Sequence, residues 1–317
     1  MKVTAQAHPN IALIKYWGKR NVALNLPVVP SLSLTLSNFH TTTTVEWGSR
    51  CDSFTLNGQV QENLQAQKVF EFLDKIQDDR PPCTVISHNN FPTAAGLASS
   101  ASAFAALAMA GCMASEQEFT ISQMSALARQ GSGSASRSLW GGWVEWVLGE
   151  KVDGSDSVGK PIAPQNHWDI RMIVAVVSDK EKSVSSTKGM LQTANTSPMF
   201  DAWCRNAQED IDIAKEAIVQ RDIATLGKQM EISTLKMFAT MFTTIPSIRY
   251  WKHQTLAIVE IVEKLRESGI DCWYTMDAGP NVKILCEPQN AEQITQAISK
   301  WTINTHILSP GSDARCI

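Results

Sequence analysis

The run Pro92-Thr93-Ala94-Ala95-Gly96-Leu97-Ala98-Ser99-Ser100 brings small side chains and then two hydroxyls to the threshold of an alanine-rich stretch. Small residues let backbone N–H groups approach a ligand closely, and a helix N-terminus carries partial positive charge. That combination suits an anion, most often a phosphate. A tightly packed helix start with serine caps is the competing reading. Farther upstream, Asn10 to Arg20 reads NIALIKYWGKR, the densest basic cluster in the chain, with Lys15, Lys19 and Arg20 interleaved with Tyr16 and Trp17. In a chain of net charge −3, an anionic ligand would go there. Snorkelling lysines at a strand end are the alternative. The segment GSGSASRS offers hydroxyls and Arg137, whose guanidinium fork matches a carboxylate or phosphate, unless it is a flexible loop with an incidental arginine. Asp277 lies in a tight DAGP turn between apolar runs. It either bonds backbone amides or, beside a lysine, orients or deprotonates a hydroxyl. Ser185-Ser186-Thr187-Lys188-Gly189-Met190 is rich in donors, as a turn or as a ligand contact.

Bulk properties limit what these residues serve. The chain has 317 residues, which favours two domains over one core. The net charge argues against a nucleic-acid binder driven by bulk charge. The seven cysteines are scattered, odd in number and free of any CxxC pair, as expected of reduced thiols rather than zinc ligands or disulfides. The six histidines have no metal-type spacing, and no metal-ligating set is expected from the protein. MKVTAQAHPN lacks the apolar core of a secretion signal, and no apolar run reaches membrane-spanning length. A cytoplasmic enzyme with no membrane contact is the expectation.

The elements that must hold these residues follow from periodicity. Alternating, β-branched residues 31–47 predict two strands. A helix is expected over 66–78, ended by Pro81-Pro82. CTVISHNN is a strand that delivers the chain to the small-residue loop, and a helix runs from about 100 to 114. Residues 131–142 form a second small-residue loop, followed by the strand WVEWVLG. VDGSDSVGKPIAPQNH reads as an excursion near a domain boundary. In the second half, 170–177 is a buried strand. Helices are expected around Ile211, Ala214 and Ile218, around Ile223, Leu226 and Met230, and from Leu256 to a stop at Gly269. CWYTM and NVKILCE are strands joined by DAGP, followed by a helix over 292–300 and the strand TINTHIL. There is no internal repeat. The fold class is α+β, with domains 1–166 and 167–317.

Taken together and in order, NIALIKYWGKR, NNFPTAAGLASSASAFAAL, GSGSASRSLWGG, SSTKGM and TMDAGPNVKIL resemble the mevalonate diphosphate decarboxylases. These form the decarboxylase branch of the small-molecule kinase superfamily that includes galactokinase, homoserine kinase and mevalonate kinase. The resemblance runs from about residue 8 to 287. It implies an N-terminal domain of mixed sheet and helices, a C-terminal ferredoxin-like sandwich and an active site between them. It also implies a reaction: ATP, mevalonate 5-diphosphate and Mg²⁺ give isopentenyl diphosphate, CO₂, ADP and phosphate. A homodimer is implied as well.

Roles carry over onto the matching positions. Gly96, Leu97, Ala98, Ser99 and Ser100 would hold the ATP phosphates, with Ser100 near Mg²⁺. Tyr16, Trp17, Gly18 and Lys19, with Ser132, Gly133, Ser134, Ala135 and Ser136, would hold the substrate diphosphate. Ser186 and Thr187 would contact the substrate from the second domain. Arg137 would grip the C1 carboxylate. Asp277 would direct the tertiary 3-hydroxyl at the γ-phosphate, with Lys15 keeping it ionised. One departure stands out. Family members can carry an arginine near 61–68 that reaches the diphosphate, whereas this chain reads ENLQAQK, leaving Lys68 or Lys188 to supply the charge. The rival readings are a paralogue acting on mevalonate, its 5-phosphate or a 3,5-bisphosphate, a plain kinase of the superfamily, and a non-catalytic ligand-binding regulator. The presence of Lys15, Arg137 and Asp277 disfavours each.

Overall fold

Short β-branched segments punctuated by proline and glycine open the chain, and they fold as strands. The computed structural model describes residues 1–91, 99–180 and 182–317. Strands β1 (Lys2–Ala7), β2 (Asn10–Ile14), β3 (Lys19–Asn21), β4 (Leu26–Pro27), β5 (Ser31–Thr35), β6 (Thr41–Trp47), β7 (Ser53–Leu56) and β8 (Gln59–Val60) lead to helix α1 (Leu64–Leu73). Next come β9 (Cys83–Asn89), α2 (Ser99–Ala114), α3 (Ile121–Gly131), β10 (Trp143–Trp146) and β11 (Gly159–Ala163). The second half runs β12 (Arg171–Val176), α4 (Ser186–Thr196), α5 (Phe200–Arg205), α6 (Ala207–Gln220), α7 (Ile223–Phe242) and α8 (His253–Glu267). It continues through β13 (Cys272–Met276), β14 (Val282–Cys286), α9 (Ala291–Ile298), β15 (Asn304–Leu308) and β16 (Arg315–Cys316).

Three main sheets result. The first has the order β16-β1-β6-β9-β7-β8, and its β7–β9 pair is parallel. In β6 the inward positions Thr41, Thr43 and Val45 are buried while their neighbours are less so, the period of two of a half-buried strand. Helix α2 lies over this face, and its alanines bring it close. Thr41 shares a 2.7 Å hydroxyl contact with Ser102 of the helix. Because α2 is apolar nearly all round, it is buried on most sides. The second sheet, β11-β10-β5-β2, and the third, β13-β14-β12-β15, are antiparallel. Helices cover the third sheet, so the second half is an α+β sandwich as expected.

The halves share a core. Ile11, Leu32 and Trp143 of the second sheet pack in one cluster with Met172, Ile211 and Leu226 of the second half. Trp143 stacks on Trp168 with centroids 5.7 Å apart, and Lys215 donates to Glu145 at 2.9 Å. The final residues return to the first sheet, where Cys316 of β16 faces Ala5 of β1. A single cut at residue 166 therefore does not separate the sheets. No helix among the described residues is long and apolar enough to cross a membrane.

Four local expectations differ from the structure. Helix α1 stops at Leu73, because Arg80 folds the following turn back onto Asp74 and Asp52. The loop 131–142 is not slack: Gly133–Arg137 form a 3-10 turn with Gly133, Ala135, Ser136 and Arg137 buried. Part of the anticipated excursion is the edge strand β11. Ser185-Ser186-Thr187-Lys188-Gly189-Met190 opens a helix, α4, with the Ser185 side chain accepting from Lys188 N as N-cap.

Helix α7 lies against β13 with Gly227 directly over Trp273, where an added Cβ would sit 1.9 Å from the indole. Intrinsic propensity favours alanine over glycine in a helix by about 1 kcal/mol. Overpacking costs about 1–3 kcal/mol, and this indole is pinned by Arg266 at 4.0 Å. Packing should win, so Gly227→Ala should melt several degrees lower by calorimetry. An unchanged or raised Tm would show that Trp273 yields freely.

Candidate active site

Strand β2 is buried at all five positions, and the chain leaves it into the interior at Lys15, which is 1% exposed. A lone ammonium there would be strongly unfavourable, so it must be satisfied. Lys15 Nζ donates to Ala12 O at 2.7 Å and to Asp277 Oδ1 at 2.9 Å. Its own backbone N–H donates to Ser233 Oγ of α7 at 2.9 Å. Asp277 follows β13 in the turn to β14. On β14, buried throughout, Lys283 places Nζ 3.0 Å from Asp277 Oδ2. Both carboxylate oxygens are thus held by lysines from different sheets, while the Asp277 side chain keeps 33% of its surface open. Burial pushes the Asp277 carboxyl up, but Lys15 and Lys283 more than offset this and hold it well below the usual carboxylate range. Burial pushes Lys15 down to about 8, against the pull of Asp277.

Arg137 presents the opposite situation. It is 1% exposed, and Nε donates to Ser33 Oγ at 2.9 Å and Asn10 Oδ1 at 3.3 Å. Nη2 reaches Asn10 Oδ1 at 3.1 Å and Nη1 reaches Ser31 Oγ at 2.5 Å. All these acceptors are neutral, and among the described residues no carboxylate lies within ion-pair distance of it. Burial pushes this guanidinium down to about 10, with Asp277 and Tyr16 pulling the other way. A buried cation with neutral acceptors alone is poised for an anionic ligand.

These groups face one cleft of about 960 Å³. Lys15, Lys19, Lys68, Lys75 and Arg137 line it from the first half, and Lys180, Lys182 and Lys283 from the second. Glu71 and Asp277 are its carboxylates among the described residues. In a net-negative chain this concentration of positive charge marks an anion site. Hydroxyls line it too: Ser100 and Ser132 of the α2 and α3 ends lie 3.1 Å apart, and Ser134 is 3.3 Å from Ser132. Lys182 donates to Ser186 at 2.7 Å, and Thr187 lies beside it on the cleft wall. Tyr16 packs on Trp146 with centroids 4.7 Å apart. Ser99 and Ser100 begin α2 at the cleft, whereas Gly96, Leu97 and Ala98 lie outside the described residues.

Other motif members point elsewhere. Gly18 has φ +111, and an added Cβ would sit 2.7 Å from Phe200 and Val28, so it shapes the chain rather than the cleft wall. Ala135 and Ser136 are fully buried, with Ser136 Oγ donating to Gly133 O at 2.7 Å. Gly133 does line the cleft, because a larger residue would strike Trp146 and Tyr16. Trp17 lines the cleft but is 1% exposed, and its ring lies under Gly189 of α4. Lys68 of α1 and Lys188 are both exposed, and of the two Lys68 lines the cleft. Sequence reasoning missed Lys283, Lys182 and Asn10. For Lys283 the available signal was a lone charge inside the apolar run NVKILC.

No cluster of three His, Cys, Asp or Glu able to hold a metal exists among the described residues. Mg²⁺ is commonly held largely by substrate phosphates and waters, and the paired Ser100 and Ser132 hydroxyls suit such a partner.

Comparison with known proteins agrees with this geometry. Residues 7–159 match the family described as "Diphosphomevalonate decarboxylase-like N-terminal domain", and residues 172–310 match "Mevalonate 5-diphosphate decarboxylase C-terminal domain". A diphosphomevalonate decarboxylase of Gibberella zeae is 40% identical over 93% of this chain and 84% of its own length. The crystal structure of mevalonate diphosphate decarboxylase from Staphylococcus aureus superposes with a TM-score of 0.94 at 38% identity, covering 100% of this chain and 98% of that one. A solved complex of MDDEF with MVAPP, AMPPCP and magnesium gives 0.93 at 39% identity, covering 100% and 99%. On a shared fold, shared motifs and near-complete coverage, this chain belongs to the diphosphomevalonate decarboxylase family.

Proposed function

We propose that the cleft carries out the ATP-dependent decarboxylation of mevalonate 5-diphosphate to isopentenyl diphosphate, CO₂, ADP and phosphate. The observation that carries this reading is a pair of unlike charge sites at one cleft floor. An ionised Asp277 is held by lysines, and Arg137 is a buried cation without a carboxylate partner. The substrate needs both. Asp277 accepts the hydrogen bond of the tertiary 3-hydroxyl and aims that oxygen at the γ-phosphorus. Lys15 offsets charge that develops as the phosphoryl group passes. The transferred group then leaves C3 as phosphate, a far better leaving group than hydroxide. Electrons of the C1–C2 bond become the new double bond as CO₂ departs. Arg137 holds the C1 carboxylate in place until that bond breaks.

The remaining anions fall to the rest of the cleft. Lys19, Lys68, Tyr16 and the Ser132 to Ser134 turn hold the diphosphate, and Ser186 and Thr187 close over the substrate from α4. The α2 N-terminus with Ser99 and Ser100 receives the ATP phosphates. Mg²⁺, when bound, would supply charge neutralisation on the transferring group, and the Ser100 and Ser132 hydroxyls would help hold it. The same reading takes the enzyme to be cytoplasmic and, on the strength of the family resemblance, a homodimer, and sedimentation equilibrium checks the dimer.

The direct test offers ATP with mevalonate, its 5-phosphate and its 5-diphosphate side by side. ADP and CO₂ should appear together, and only with the diphosphate at substantial rate. ADP without CO₂ would make the protein a kinase instead.

Arg137→Gln should lose about 10²- to 10³-fold in kcat/KM, the scale of a lost charged hydrogen-bond partner in the transition state, with ATP affinity barely moved. Near-normal turnover would sink its assigned role.

The pH profile of kcat should fall as pH rises through about 8, where Lys15 loses its proton. Assays from pH 6 to 10, in steps of about half a unit, check this against the tuning expected of catalytic groups. A rate flat to pH 10 would detach Lys15 from the chemistry.

Asp277→Asn leaves Lys15 and Lys283 buried without a counter-charge. It should lose about 3–5 kcal/mol of stability at neutral pH, the usual result of removing one partner of a buried pair. The sign follows from Lys15. Its folded pKa lies below the ordinary lysine value of 10.5, so the folded state sheds the proton first and stability returns as pH rises toward that value. Phosphoryl transfer should fall about 10²- to 10⁴-fold in this variant. Release of CO₂ from mevalonate 3-phosphate 5-diphosphate, supplied with ADP, should survive. Equal loss on both substrates would show that Asp277 also serves the elimination.

A further inference from the structure

Lys283 is 2% exposed and sits on β14, which is paired on both sides, by β13 and by β12. Its backbone faces Thr275 on one neighbour and Val174 on the other. Just upstream, the Asn281 side chain accepts from Val177 N at 2.8 Å and Ser178 N at 2.9 Å, and donates to Ser178 O at 3.1 Å. The strand that bears the ammonium is therefore fixed from both edges and from its start. Stability alone does not account for such a charge cluster, because replacing a whole buried cluster by well-packed apolar residues is often neutral or stabilising. The ammonium points at Asp277 Oδ2, the oxygen that Lys15 does not hold, and it lines the cleft.

From this we infer that Lys283 is a positioning residue for the phosphoryl-transfer step, gripping Oδ2 so that the Asp277 carboxylate has one orientation toward the substrate hydroxyl. The inference rests on the function proposed above and assigns the chain a second lysine for the step. A carboxylate offers about four lone-pair sites, so with each oxygen holding one lysine, one site per oxygen remains for the hydroxyl. A carboxylate anchored by Lys15 alone is free to turn about χ2. The charged and titratable groups facing this centre are Lys15 after β2, Lys283 on β14, Arg137 and Tyr16 from the first half, and Lys182 ahead of α4. Lys283 also acts on Lys15, since its charge disfavours a second ammonium at the same carboxylate. Removing it should move the Lys15 titration to higher pH.

The experiment uses the full chain with Lys283→Met, Lys283→Gln and Lys283→Arg. In Lys283→Met, kcat on mevalonate 5-diphosphate should fall about 10²-fold, the scale of a misplaced reacting group, with both KM values within about threefold of wild type. Turnover of mevalonate 3-phosphate 5-diphosphate should stay within about threefold, because Asp277 has no hydroxyl left to direct. The basic limb of kcat should move up by about one pH unit, as expected when a nearby like charge is removed. Lys283→Arg should restore part of the rate. Lys283→Gln keeps a donor for Oδ2 without its charge, so it should retain more rate than Met while showing the same shift of the limb. Wild-type kcat in Lys283→Met, or equal loss on both substrates, would overturn the inference. So would an unmoved limb in folded Lys283→Gln, even if Lys283→Met does not fold. If wild-type protein makes no CO₂ from ATP and mevalonate 5-diphosphate, the proposed function has failed instead, and the two failures are distinct.

Discussion

One carboxylate between two buried ammoniums organises this molecule. Lys283 belongs to the third sheet, Asp277 lies in its β13–β14 turn, and Lys15 follows a strand of the second, so the contact exists only when the two halves are docked. Two cations and one anion out of water are costly, and their mutual attraction roughly repays the desolvation at best. The force that docks the halves is instead the shared apolar core from Ile11 and Trp143 to Met172 and Leu226. Hydrophobic burial thus supplies the energy, and the charge cluster uses it to set a geometry.

Arg137 shows the same division of labour with the opposite outcome. Its guanidinium is held by Asn10, Ser31 and Ser33, neutral groups that orient it without neutralising it. Orientation without neutralisation is what a carboxylate binder needs, because a resident carboxylate would compete with the ligand. Asp277, by contrast, is held by charge, which under the proposed function keeps it ionised beside an incoming polyanion. The cleft as a whole collects cations from a chain with net charge −3, so its field draws anions inward although the protein repels them at large.

Much of this was legible beforehand. Lys15, Arg137 and Asp277 each had a competing bland reading as a snorkelling lysine, a loop arginine or a turn aspartate, and the family resemblance decided between them. The alternation of β6 and the apolar faces of α6 and α7 followed from side-chain period, a property of neighbours in sequence. The anion-binding composition before α2 was equally local. Lys283 was missed because a single lysine in a short strand reads equally well as a snorkelling edge residue. Helix α4 was missed because serine, threonine and glycine in its first turn look like a turn until Gly189 is seen pressed against Trp17.

Motif membership and orientation proved to be separate matters. Ser134 and Ser136 belong to one motif, yet Ser134 lines the cleft and Ser136 bonds back to Gly133 in the interior. Gly18 sits among cleft residues but answers to Phe200 and Val28. By itself the sequence determined the period of each element, the residue types able to hold anions and the family to which they belong. Tertiary structure alone decided which of those side chains meet, and the return of β16 to β1. The reason is physical. Period, capping and composition act over a few neighbouring residues, whereas Lys15 and Asp277, 262 positions apart, come within 2.9 Å only through packing summed over the whole core.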